Sequence, residues 1–377
     1  MTEFSSGSST QSRDWSPPGP GYAEALLAER PDRARGLRLA ALIVVAYVGA
    51  TMAVWPDARR SPLELTLLHP LFRVLMSVGV MPPVLAAMLY RIRLGGRAAT
   101  SWPEALRRTW ADGWLTHRLF HYIIIALLLP LFFWCFAAWK SHIPPFTWDV
   151  TLAEWDRALH GTDPWRLLPL RPLLTLPLEG AYWSWRLLFL GLVAWQGWTG
   201  TAHEKGRFWL AFVLTWILLG TVLASLIPSA GPCYYLFVAH SPRYVSLLTY
   251  LGEVDRAHGT ELLDLQRGLW AATAQGRIVW GAGVSAFPSL HVALPVLATC
   301  AAWHRFRPLS WAFALFSAII LIGSVQTGWH YAVDGYASLL LVPLIWWLAG
   351  RLVPPRLPSE HGPAITQAAP TARRRTR

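Results

Sequence analysis

The sequence predicts an all-α, polytopic membrane protein with about eight transmembrane helices, and three observations predict it. Of the 377 residues, 54% are hydrophobic. Only 14% are charged, where a soluble domain carries roughly 25%. The third observation is pattern: apolar residues gather in runs near the ~20 that a helix needs to cross a bilayer, and basic residues gather between them. The net charge of +12 is therefore split among short stretches. A nucleic-acid binder spreads such charge along an exposed face, and no nucleic-acid motif is present, so that class is set aside. The three cysteines, Cys135, Cys233 and Cys300, suggest no disulfide framework.

The elements follow in order. Residues 1–36, rich in Ser, Pro, Gly and Arg, lack the apolar core of a signal peptide and read as a disordered cytoplasmic tail. Spans are expected near Leu37–Trp55, Leu71–Tyr90, Leu119–Trp139, Gly180–Trp198, Phe208–Ile227, Phe287–Trp303, Leu309–Val325 and Gly335–Gly350. Residues 37–118 thus hold two helices and a basic loop, 119–352 hold six helices, and 353–377 form a disordered basic tail. Short-loop arginines and lysines set orientation. Arg30, Arg33, Arg35 and Arg38 precede the first span, Arg91, Arg93, Arg97, Arg107, Arg108 and Arg118 follow the second, and Lys205, Arg207, Arg305 and Arg307 mark two further inside turns. Both termini are expected in the cytoplasm. Two longer segments, Lys140–Glu179 and Pro228–Ser285, fall outside; the first, rich in Trp and Pro, reads as interfacial.

Chemistry concentrates in two places. In Ser285-Ala286-Phe287-Pro288-Ser289-Leu290-His291 a helix starting at Pro288 suits proline's preference for the first turn. The free N–H groups of Ser289, Leu290 and His291 then form an anion site at the positive end of the helix dipole. In Gly328-Trp329-His330-Tyr331-Ala332-Val333-Asp334, His330 and Asp334 are four apart and share a helical face. The carboxylate can hold one ring nitrogen and leave the other free to attack. The sixth helix runs inward from His291 and the seventh returns outward to His330, which brings both histidines to the outer membrane face. Ionisable groups in such a setting default to a functional reading. The carboxylates Asp149, Asp156 and Asp163 read as turn caps. Arg243, Arg256, Arg267 and Arg277 read as solvated.

SAFPSLHVA and GWHYAVDGYAS resemble the second and third signature motifs of the type 2 phosphatidic acid phosphatase (PAP2) superfamily. They are closest to its branch of inositol phosphorylceramide synthase and sphingomyelin synthase. The resemblance is strong at 285–293 and 327–338 and looser over 149–342. It implies a six-helix core over 119–352, with His330 as nucleophile forming a phosphohistidine, Asp334 orienting it, and His291 as the proton donor and acceptor. It implies phosphate contacts from Ser289, Ser285 and Leu290, with Tyr234, Tyr235 and Tyr331 as further candidates for lining the site. Neither metal nor other cofactor is implied, and the expected partners are membrane lipids, in a bacterial plasma membrane.

Two departures bear on substrate. Gly323 and Ser324 stand where phosphatase members carry Ser-Arg. Ser229-Ala230-Gly231-Pro232-Cys233-Tyr234-Tyr235 stands where they carry a lysine-and-arginine motif. Without that positive clamp, unless one of the four outer arginines replaces it, a phosphodiester is favoured over a phosphomonoester dianion. The expected function is therefore transfer of a phosphoryl or phospho-alcohol group, such as phosphoinositol, between lipids. The alternatives are a lipid phosphate phosphatase acting on phosphatidic acid or a polyprenyl diphosphate and, more remotely, a transporter or scaffold, whose broken helices and repeats are not seen.

Overall fold

A computed structural model of the protein describes residues 35–55, 114–143, 145–198, 202–277 and 283–353. The expected second span and its basic loop, and almost all of both tails, lie outside these residues. The described chain is all-helical, without strands. Its helices are α1 (Arg35–Val54), α2 (Trp114–Ser141), α3 (Asp149–His160), α4 (Pro172–Trp198), α5 (Ala202–Ile217), α6 (Tyr235–Ala239), α7 (Val245–His258), α8 (Leu262–Ala274), α9 (Leu290–Ala302), α10 (Arg307–Gln326) and α11 (Ala332–Leu352). A π turn over Leu218–Leu223 continues α5 to Leu226.

Among the described residues four helices are long and apolar enough to cross a membrane: α1, residues His203–Leu226, α10 and α11. They mark an integral membrane protein. The count of eight is not reached among the described residues. The apolar stretch Leu128–Ser141 of α2 and the whole of α9 are shorter, and α4, which carries Glu179 and Arg186, is not among the four. The sixth span also starts later than expected. Ser289, not a residue ahead of Pro288, is the N-cap: its backbone is extended and its hydroxyl accepts the amide of Val292, so the helix begins at Leu290.

The membrane helices pack as a bundle in which α9 lies against both α10 and α11, and α5 against both α1 and α11. Their shared core contains Phe132, Phe208, Phe212, Leu219, Val292, Leu297, Ile320 and Val342. Lipid is as apolar as these side chains, so close fit rather than escape from water drives such contacts. One example is the crossing of α1 and α5, where a Cβ on Gly36 would lie 2.6 Å from the backbone of Gly206. A second core, with Leu152, Trp165, Tyr244, Leu247, Leu251, Leu262, Phe287 and Tyr331, joins α3, α7 and α8 to the loops before α9 and α11. Segments read from the sequence as interfacial or looping thus contain short packed helices over one end of the bundle.

Candidate active site

The turn between α10 and α11 is fixed by the chain itself. The amides of Trp329 and His330 both donate to the carbonyl of Ser324, at 3.0 and 3.2 Å, and Gly328 takes a positive φ of 73°. His330 therefore sits before α11, not on it. Asp334 reaches it through a helix cap: its Oδ2 accepts the amide of Tyr331 at 2.9 Å and lies 3.3 Å from His330 Nδ1. The four-residue spacing brings the pair together, but through the N-terminal turn rather than a shared helical face.

His330 Nδ1 also lies 2.8 Å from the carbonyl of Ala286. A carbonyl only accepts, so in the neutral ring Nδ1 carries the hydrogen and Nε2 has the free lone pair. Burial pushes the His330 pKa down to about 3, although the bond to Ala286 raises it, so the ring is neutral at physiological pH. Nε2 faces His291 Nδ1 at 3.4 Å. Since Nε2 can only accept, the hydrogen of that contact belongs to His291. The sequence places these residues 39 apart, and α9 and α10 bring them together by running antiparallel.

Aromatic rings surround His291. Tyr182 stacks on it at 4.5 Å between ring centroids, Trp185 lies tilted at 4.9 Å, and Trp329 stacks on Tyr182 at 6.3 Å. Several buried polar atoms here have no hydrogen-bond partner: Ser285 Oγ, Tyr182 OH, Trp185 Nε1, Trp329 Nε1 and Asp334 Oδ1. Native proteins rarely leave so many unsatisfied, and their grouping around two imidazoles suits a polar ligand.

A brace from α3 holds the surrounding loops. Asp149, buried, accepts the Ser229 hydroxyl, the amides of Ala230 and Gly231, and the Tyr331 hydroxyl, at 2.8 to 3.2 Å. Burial raises its pKa, and these bonds oppose the shift. About two helical turns on from Asp149, Asp156 accepts the amides of Ala332 and Val333 at the start of α11. Burial raises this carboxyl to about 6 against those two bonds. The Ser229–Cys233 loop joins the other two: Ala286 donates to the Ser229 carbonyl and Cys233 to that of Gly328, both at 2.8 Å. Gly231 has φ 101°, and a Cβ there would lie 2.6 Å from the Trp329 carbonyl oxygen, so only glycine fits.

The structure thus brings His291, His330 and Asp334 into one cluster, with Ser285 next in the chain to Ala286, whose carbonyl holds His330. Leu290 and His291 open α9 with first-turn amides, whereas the Ser289 amide donates to the Asp334 carbonyl and the Ser289 hydroxyl caps α9. Ser289 is thereby committed within the fold. The three tyrosines are also turned inward: Tyr331 binds Asp149, Tyr234 donates to the Gln266 carbonyl, and Tyr235 packs on Tyr244. Sequence reasoning missed the Ala286 carbonyl, the aromatic wall and the role of Asp149 and Asp156. The polar and aromatic residues Tyr182, Trp185 and Arg186 within a span were the available signal for that wall; a backbone acceptor leaves none.

A family model described as PAP2 superfamily matches residues 150–348. No curated protein and no solved structure gives a match.

Proposed function

The chain belongs to the PAP2 superfamily, whose members are phosphatases or phosphotransferases acting on phosphoesters, and from that premise we propose that it is a membrane lipid phosphotransferase working through a phosphohistidine on His330. The observation that carries the proposal is the His330 environment: Nδ1–H held by the Ala286 carbonyl and Nε2 aimed at His291.

The chemistry balances with these groups alone. The Nε2 lone pair of His330 attacks phosphorus, and the P–O bond to the leaving alkoxide breaks. His291, entering the step as an imidazolium protonated when the anionic phosphoester binds beside it, gives its Nδ1 proton to that alkoxide, which departs as an alcohol and leaves His291 neutral. His330 retains its Nδ1 hydrogen and becomes a cationic phosphoimidazolium. Its charge is offset by the Asp334 carboxylate and the Ala286 carbonyl oxygen. The neutral His291 then removes a proton from the acceptor hydroxyl, whose oxygen attacks phosphorus and restores His330. Ser285 and the first-turn amides of α9 hold the phosphoryl oxygens.

Transfer between lipids, in the manner of the inositol phosphorylceramide and sphingomyelin synthases, is favoured over hydrolysis by the missing Ser-Arg pair and by the apolar, aromatic wall at His291, which disfavours water. Residues 119–352 form the catalytic unit, and the site faces the outer leaflet. Turnover of a labelled phospholipid panel, with and without inositol, ceramide and diacylglycerol, tests the reading. Label passing to an acceptor, lost in His330→Ala, is expected. Free phosphate or phospho-alcohol without transfer makes the enzyme a hydrolase, and full activity in the alanine variant removes His330 as nucleophile.

A further inference from the structure

A phosphoester entering the buried space beside His330 and His291 carries negative charge, and a buried charge needs a partner. Three of the four outer arginines are engaged elsewhere. Arg243 binds Asp163, Glu154 and the Ala153 carbonyl, Arg267 pairs with Asp264, and Arg256 bonds the Gly252 carbonyl. Ser324, at the position of the family's arginine, is buried with its hydroxyl on the Leu321 carbonyl.

Lys140, in the last turn of α2, is in the opposite condition. It is only 6% exposed, and among the described residues no carboxylate lies within ion-pairing distance of it. Its Cβ presses on Gly283, where an added Cβ would lie 2.5 Å away, two residues before Ser285. Its Nζ stands 5.3 Å from the centre of the Phe136 ring. That ring and the Leu290 side chain meet over Gly220, within 2.6 and 2.8 Å of where a Cβ would be, and His291 follows Leu290. The charge of Lys140 acts electrostatically on both imidazoles, whereas that of Arg186 reaches His291 and its guanidinium stacks on Trp183 at 4.3 Å. An ammonium buried without an acid is costly until an anion joins it.

We propose that Lys140 is the cation that clamps the substrate's phosphoryl oxygens, taking from α2 the role that arginines would otherwise fill, and that a single such cation selects a singly charged phosphodiester over a doubly charged phosphomonoester. This rests on the reading of His330 and His291 as a phosphotransfer pair. Ser285 Oγ and the amides of Leu290 and His291 complete the cradle, with Lys140 supplying the positive charge once the anion is bound. A preorganised charged donor at a transferring group contributes about 10²–10³-fold in rate.

The test uses the full chain in detergent micelles, with phosphatidylinositol as the diester and phosphatidic acid as the monoester. Formation of the phosphoenzyme is followed in wild type, Lys140→Met, Lys140→Arg and Arg186→Met. Wild type is expected to react faster with the diester. Lys140→Met should lose about 10²-fold in kcat/KM, Lys140→Arg should recover most of it, and Arg186→Met should lose far less. If Lys140→Met does not fold, Lys140→Gln is read by the same rates and by weakened inhibition by orthovanadate. A phosphoenzyme formed at the wild-type rate in the uncharged variants overturns the clamp while leaving the phosphotransfer reading intact. Preference for phosphatidic acid in wild type overturns the charge selection. Absence of any phosphoenzyme in turning-over wild type overturns the phosphotransfer reading and the clamp with it.

Discussion

The two ends of the α9–α10 pair handle polar groups differently. At the histidine end Asp149, Asp156, His330 and Asp334 are each at most 5% exposed, and backbone amides or carbonyls meet all four. At the other end, around Cys300 and His304, Arg207 and Arg305 are half-buried or exposed and lie against tryptophan faces. Arg207 stacks on Trp346 at 4.1 Å and donates to its carbonyl, and Arg305 lies 6.0 Å from Trp195 and 3.7 Å from Glu204. The first arrangement fixes atoms to fractions of an ångström but fails badly when one partner is removed. The second tolerates loss, because water or headgroups can replace what is missing. Precision is concentrated where the proposed reaction needs it.

Substitutions can break or sharpen that contrast. The largest effect is expected from Asp149→Ala, which strands two amides and two hydroxyls in the buried brace. It should cost about 3–5 kcal/mol, read as a lower melting temperature of the detergent-solubilised protein, with activity falling in parallel. Asp334→Asn should preserve the fold and reduce kcat by about 10²-fold. That is less than the ~10⁴-fold seen where an aspartate alone holds the catalytic tautomer, because the Ala286 carbonyl still holds His330 Nδ1–H. A loss as large as that of His330→Asn would show that the carboxylate, not the carbonyl, sets the ring.

Acid should expose the same end. His330 is neutral in the fold down to about pH 3, whereas its unfolded reference is 6.5. Between those values the unfolded chain binds a proton that the fold refuses, so this penalty is absent above 6.5 and grows as pH falls towards 3. The melting temperature of wild type should drop across that window more steeply than that of His330→Asn, and parallel curves would contradict it. The smallest effect belongs to the far end: Arg207→Gln should cost about 1 kcal/mol or less and leave turnover within about twofold.

Much of the site was legible because its residues lie in two short stretches beside helix starts, where backbone donors and side chains converge by local rules. Even there, legibility ended one step before the geometry. The His330–Asp334 spacing was read as a helical face, but Tyr331 caps α11 and the pair meets around that cap. Asp149 looked like a turn cap because its partners lie 80 to 182 residues away, and no periodicity records such distances. The same holds for the fold. Apolar runs marked α1, α5, α10 and α11 well, since composition alone decides which segments enter lipid. Helices α3, α7 and α8, of 12 to 14 residues, carry mixed polarity and owe their stability to packing over the loops, so they read as connections.

The central claim is that His330 Nε2 is the nucleophile, and the most direct measurement is the chemical form of the trapped intermediate. The protein would be quenched in base during turnover of a phospholipid labelled at phosphorus, digested and mapped by mass spectrometry. The account predicts an acid-labile, base-stable phosphohistidine at His330, bonded through Nε2, and absent from His330→Asn. Label on His291 or on any other residue, or label bonded through Nδ1 of His330, would contradict it.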